Sequence, residues 1–299
     1  MMTIRLPKQL LTKLQRPLLT AFFCCLALAG RAQKDGMLWK VTGNGITRPS
    51  YIFGTIHAHC NPDTIKRPAL TKALAGCDHV ALELDLGNPE VLMQLFLKSQ
   101  EPSPLNLKDY LSADDYRLVD STCKALLNDS LARLGSASPL TLVSSMMLSE
   151  KLMGCKMTPV DFKILEIART AGKPTMGLES ETYQDSLLKS IPIELQVRWL
   201  LDFCRDIPTA KAGFLRMLQA YNAGNCEQLY SLSMESEPEM NYLSEGLLND
   251  RNLNWVRFLK AHMADANYFV AVGAAHLGGE KGLIALLRQA GYTVKAVRF

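Results

Sequence analysis

The chain has 299 residues, of which 48% are apolar and 21% charged, with a formal net charge of +4. That suits one large globular domain or two small ones and excludes a disordered chain. The first 32 residues hold Arg5, Lys8, Lys13, Arg16 and Arg31 and no acid; subtracting these five charges from +4 leaves −1, which gives no support for nucleic-acid binding.

The basic start is followed by an apolar run over 17–29 and then Gly30-Arg31-Ala32. This is the layout of a secretory signal peptide cleaved after Ala32. The run is too short to span a bilayer comfortably, so no stable membrane span is expected after cleavage. The reading is therefore a signal peptide over 1–32 and one exported domain over 33–299, periplasmic or secreted. Cys60, Cys77, Cys123, Cys155, Cys204 and Cys226 remain in that domain. An oxidising compartment permits disulfides, and buried free thiols are the equal alternative; the spacing does not give the pairing.

In chain order, 38–42 reads as a strand and Gly43-Asn44-Gly45 as a turn. Residues 51–54 form a second strand. A short helix over 68–75 closes at Gly76, and an apolar strand over 80–84 carries Glu83. From 89 to 157 apolar residues recur at helical spacing, with Ser112 and Asp115 marking one helix start. The Met146, Met147, Met153 and Met157 cluster reads as core filling. A helix over 161–170 ends at Gly172, and a strand over 174–178 leads to Glu179. Two or three helices follow over 183–221, broken near Pro192 and Pro208, and another covers 247–263. The chain closes with a strand (268–272), a helix (282–290), a turn at Gly291 and a strand (293–297).

Two stretches repeat one plan. Tyr51-Ile52-Phe53-Gly54-Thr55-Ile56-His57 and Tyr268 to Val272 followed by Gly273-Ala274-Ala275-His276 are both strand, Gly-x-x-His. Glycine permits a sharp exit or a close approach where a Cβ would clash. Each histidine then stands at a sheet's mouth, where α/β folds place their sites. A lone histidine there is usually structural; the matched pair points to one shared site. The expected fold is α/β (α+β): a mixed central sheet from two related halves, with a helical insertion over about 89–250.

The ordered set Trp39-Lys40-Val41, Phe53 to His57, Glu83, Gly177-Leu178-Glu179 with Gln184, Arg251-Asn252 and Val272 to Gly279 resembles the TraB/GumN family, related to the Tiki proteases. The resemblance covers nearly the whole exported domain. It implies a mixed α/β fold and, in the Tiki branch, a peptidase dependent on a divalent metal. His57, Glu83 and His276 then form a ligand set suited to Mn, Co or Zn, with open positions for water. Glu179 is placed to take the water's proton, with Gln184 orienting it; its other reading is a helix cap. Arg251 is read as holding a substrate carboxylate or an oxyanion, with Asn252 beside it. The expected partner is a peptide or protein. Two alternatives stand: a haem- or metal-binding module without turnover, and a metal-free hydrolase with a histidine base.

Overall fold

The computed structural model of the protein describes residues 36–100, 106–134, 137–235 and 244–298. The signal peptide expected over 1–32 lies outside the described residues. Among these the strands are β1 (Leu38–Gly43), β2 (Ile46–Thr55), β3 (His79–Leu82), β4 (Thr175–Gly177), β5 (Tyr268–Gly273) and β6 (Thr293–Ala296). They form one sheet in the order β4-β3-β5-β2-β1-β6. β4, β3, β5 and β2 are parallel neighbours, and β1 runs antiparallel between β2 and β6. This is the mixed α/β architecture expected.

Strand β5 is buried from Tyr268 to Val272. A central parallel strand is covered on both faces, so it needs apolar side chains at successive positions rather than alternate ones. The hairpin from β1 to β2 turns at Gly43, Asn44 and Gly45, all with positive φ, which is the chemistry of a tight hairpin. Strand β2 begins five residues before the predicted one, and β3 stops at Leu82, just short of Glu83.

The helices are α1 (Pro68–Ala75), α2 (Pro89–Gln100), α3 (Ala113–Leu127), α4 (Pro139–Met147), α5 (Glu150–Met153) and α6 (Val160–Thr170), then α7 (Glu181–Lys189), α8 (Ile193–Arg205), α9 (Ile207–Asn222), α10 (Cys226–Glu235), α11 (Asp250–His262) and α12 (Leu283–Gln289). Ser112 caps α3 reciprocally: its hydroxyl accepts the Asp115 N–H at 3.1 Å and donates to the Asp115 carboxylate at 2.7 Å. Pro192 caps α8, and Pro208 sits in the first turn of α9. A first-turn proline starts a helix rather than breaking one, because its missing N–H has no partner there to lose.

Two apolar cores result. One surrounds the sheet and contains Trp39, Phe53, Trp255 and Phe269. The other lies among the helices and contains Val119, Cys123, Leu142, Met146, Leu200 and Phe203 from α3, α4 and α8. Within the span 89–250, α6 and β4 return to the sheet: Val160, Ile164 and Ala168 belong to its core, and β4 pairs with β3. Helix α10, which periodicity had not singled out, buries Cys226 and Leu229 against the same core.

The two Gly-x-x-His strands are adjacent and parallel, with Gly54 opposite Val272 and Thr55 opposite Gly273. Both chains therefore leave the sheet at the same edge.

Candidate functional site

Four neighbouring parallel strands end along that edge. β2 ends at Thr55 and delivers His57; β5 ends at Gly273 and delivers His276 on a 3-10 turn (Ala274–His276). β3 delivers Glu83 and β4 delivers Glu179. The crevice beyond the carboxyl ends of parallel strands is where such sheets place ligands.

Close approach explains both motif glycines. A Cβ on Gly54 would lie 3.0 Å from the Ala274 Cβ and 3.1 Å from its Cα, so a side chain there would press β2 away from the β5 exit. A Cβ on Gly273 would meet Glu83 Oε1 at 3.3 Å and His276 Cδ2 at 3.6 Å. Neither glycine has a positive φ; space, not backbone conformation, is what they supply.

Glu83 is buried, and its Oε1 accepts the Gly273 N–H at 2.7 Å. Its Oε2 takes the Arg251 guanidinium and, at 3.4 Å, the Gln184 amide. Arg251 also grips Glu179: Nε donates to both carboxylate oxygens at 3.1 and 3.0 Å, and Nη2 donates to Oε1 at 2.6 Å. Gln184 donates to the same Oε1 at 3.0 Å. One cation thus bridges two buried carboxylates, which would repel each other without it. Burial pushes the Glu83 carboxyl up, but His276 (charged only at the low pH where this carboxyl titrates), Arg251, His57 and the Gly273 N–H outweigh this and hold it down at about 2.

His276 is buried, 4.0 Å from Glu83 through Nε2. Asn252 donates through Nδ2 to the Lys281 carbonyl at 2.9 Å, so its Oδ1 faces the ring and accepts from His276 Nδ1 at 2.7 Å. That assigns the proton to Nδ1 and leaves Nε2 as acceptor, where Arg251 Nη1 donates at 3.1 Å. Burial pushes the imidazole pKa down, to about 3, with the Arg251 charge acting the same way. His276 is neutral near neutral pH. Trp255 packs on its ring at 4.5 Å between centroids and also lies under Arg251.

His57 is the outlying member. Its side chain is 68% exposed, and Nδ1–H donates to Asp161 Oδ2 at 3.0 Å. Asp161 Oδ1 accepts the Thr55 hydroxyl at 2.8 Å. The Asp161 bond raises the His57 pKa to about 9, against desolvation, which acts the other way. Close by, Cys60 and Cys155 form a disulfide, which ties the segment after His57 to the segment before α6. His59 is buried and structural: Nε2 bonds Asn222 Oδ1 at 2.9 Å and Nδ1 accepts the Asn61 N–H at 3.0 Å.

The structure thus brings Glu83, Glu179, Gln184, Arg251, Asn252 and His276 into one hydrogen-bonded group, with His57 at its margin beside Asp161. Asp161 was missed in the sequence, although it lies on the buried stripe of α6 with Ile164, Leu165 and Ala168. An acid at helical spacing within an apolar stripe was the available signal. Arg251 and Asn252 share the buried stripe of α11 with Trp255, Val256 and Leu259 in the same way.

The TraB/PrgY/gumN family matches residues 37–296. The chain belongs to this family. Its relatives include the zebrafish (Danio rerio) Metalloprotease TIKI2, 25% identical over 88% of this chain and 62% of that protein. The Uncharacterized protein YbaP of Shigella flexneri is 25% identical over 81% of this chain and 88% of its own. The Metalloprotease TIKI homolog of Amphimedon queenslandica is 21% identical over 97% of this chain and 66% of its own. This TraB/PrgY/gumN chain therefore spans about 62% of the length of the zebrafish relative. No solved structure matches it.

As a donor set, two imidazoles and a carboxylate suit a divalent ion. Each ring has Nδ1 tied to a side-chain oxygen, the arrangement that directs Nε2 toward a metal. As the side chains stand, no three His, Cys, Asp or Glu among the described residues converge closely enough to hold an ion. Between Glu83 and His276, Arg251 takes the acceptors. No helix among the described residues is long and apolar enough to cross a membrane.

Proposed function

We propose that this chain is an exported hydrolase that cleaves peptide bonds in peptides or proteins, with a divalent metal (Mn, Co or Zn) held by His57, Glu83 and His276. The observation that carries the reading is the delivery of Glu83 and a pre-oriented His276 to one sheet edge, with His57 leaving the adjacent strand at the same edge. Two relatives that carry the name metalloprotease support it. The Cys60–Cys155 disulfide and the basic, apolar leader support export.

The ion, when bound, would polarise the scissile carbonyl and ease deprotonation of the attacking water. The chain's own residues do the rest. Asn252 holds His276 in the Nδ1–H tautomer, and Asp161 would hold His57 likewise once that ring has given up its Nε2 proton, as binding an ion requires. Glu179, aligned by Gln184, takes a proton from the water as its oxygen adds to the carbonyl carbon. It returns that proton to the amine nitrogen as the C–N bond breaks. Arg251 supplies the positive charge for the developing oxyanion or for a substrate carboxylate.

The test is direct. The purified protein should retain Zn or Mn and cleave a peptide pool, and a chelator should abolish the cleavage. His57→Ala and His276→Ala should each lose metal and activity. Metal content unchanged in both variants would overturn the assignment.

One observation favours a second reading, a metal-free hydrolase with His57 as base. The exposed ring backed by Asp161 is a base with an orienting carboxylate. With a pKa of about 9, His57 would be the free base only in alkaline solution. Chelator-insensitive cleavage that rises toward pH 9 would select this reading.

A further inference from the structure

Arg251 spends its donors on the groups a metal would need. Nη1 donates to His276 Nε2 at 3.1 Å and to the Leu247 carbonyl at 3.0 Å; Nη2 reaches Glu83 Oε2 and Glu179; Nε lies across both Glu179 oxygens. A neutral imidazole has a single ring lone pair. In His276 the other nitrogen is committed to Asn252, so Nε2 either accepts the guanidinium N–H or binds an ion, never both at once. Glu83 is less exclusive, since a carboxylate offers about four lone-pair sites; an ion at Oε2 would compete with the guanidinium there through charge and space.

We propose that the Arg251 guanidinium and a divalent cation are alternative occupants of the same acceptors, so that Arg251 acts as an internal competitor which must be displaced for the ion to bind. The proposal rests on the metal reading above and adds a control to it. Without an ion, Arg251 supplies the charge that makes two buried carboxylates tolerable. When the ion arrives, Nη1 and Nη2 release His276 and Glu83, and Glu179 keeps its grip on Nε. Arg251 is the second residue of α11, which follows directly on a π-helical turn (Glu245–Asn249) whose Leu247 carbonyl holds Nη1. Such turns recur at functional sites.

Calorimetric titration of the full chain with zinc, and separately with manganese, tests this. Arg251→Met keeps an unbranched apolar side chain at this buried position and removes every donor. It should bind zinc at least tenfold more tightly than the parent, and zinc should raise its melting temperature more than the parent's. The parent provides a check that does not depend on the variant folding: in a nitrogen-15 spectrum, the Arg251 guanidinium signals should shift on zinc saturation together with His276 Nε2. If the parent binds zinc while Arg251→Met binds equally or less tightly, or if the Arg251 signals stay fixed through saturation, the competition is overturned and the metal reading survives. Binding by neither protein sinks both. Binding by Arg251→Met alone upholds the competition and removes the metal reading for the parent.

Discussion

Asp161 Oδ2 accepts the Nδ1 proton of His57 at 3.0 Å, across 104 residues of sequence. The bond favours the protonated ring, which is why its pKa rises to about 9. Asp161→Asn should return the His57 pKa toward its ordinary value near 6.5. An NMR titration of the chelator-treated protein reads this directly. A His57 midpoint that stays near 9 in the variant would show that Asp161 is not the cause.

Gly54→Ala brings a methyl to 3.0–3.1 Å from the Cβ and Cα of Ala274, where only backbone movement makes room. Overpacking of this kind costs about 1–3 kcal/mol. The urea midpoint should fall, and peptide cleavage should fall further, because β2 and β5 set the separation of His57 and His276. Gly273→Ala should differ: its methyl meets no backbone atom but the Glu83 carboxylate at 3.3 Å, which it would shift within the site, so stability should change less than activity does. Equal stability losses in the two variants would contradict this account.

The site should make stability depend on pH in both directions. His276, buried and neutral, has a folded pKa of about 3 against about 6.5 when unfolded. The unfolded chain binds a proton that the folded chain refuses, so this contribution is present above pH 6.5 and is lost as pH falls toward 3. Glu83 acts in the same direction at lower pH, between about 4.5 and 2. His57 acts oppositely: its raised pKa gives a contribution present below 6.5 and lost as pH rises to about 9. Denaturation across pH 4–10 should show a maximum near pH 6.5–7. His276→Asn should flatten the acid limb and Asp161→Asn the alkaline one; a parallel shift of the whole curve in both would refute the assignment.

Reduction of Cys60–Cys155 should destabilise the protein by about 2–4 kcal/mol, since the bridge closes a loop with a sequence separation of 95. Peptide mapping of the oxidised protein should recover the Cys60–Cys155 pair and leave Cys77, Cys123, Cys204 and Cys226 as thiols. Because the bridge joins the segments beside His57 and Asp161, reduction should also lower the His57 pKa. A His57 titration unmoved by reduction would confine the bridge to global stability.

Much of the site was legible because it is locally encoded. An apolar strand, a glycine and a histidine three residues on are visible in a window of seven residues, and the window occurs twice. Glu83 showed itself as an acid within an apolar strand pattern, and Glu179 as an acid directly beyond another. Asp161 did not: it was read as a helix start, although its burial follows from the stripe it shares with Ile164 and Ala168. The Cys60–Cys155 pairing was open for a different reason. Six thiols carry no positional label until the chain folds and brings the Cα atoms of Cys60 and Cys155 to 5.7 Å of each other.

Periodicity, turn chemistry and the paired motif were thus determined by residues close together in the chain, since helical and strand spacing are properties of neighbouring side chains. The tertiary structure alone decided the strand order, and with it every charge relation at the site. Arg251 lies 168 residues from Glu83 and 72 from Glu179, and they meet because β3 and β4 are parallel neighbours whose ends α11 overlies. An ion pair forms wherever opposite charges are brought together in low dielectric. Nothing in the local sequence of an arginine says which carboxylates those will be.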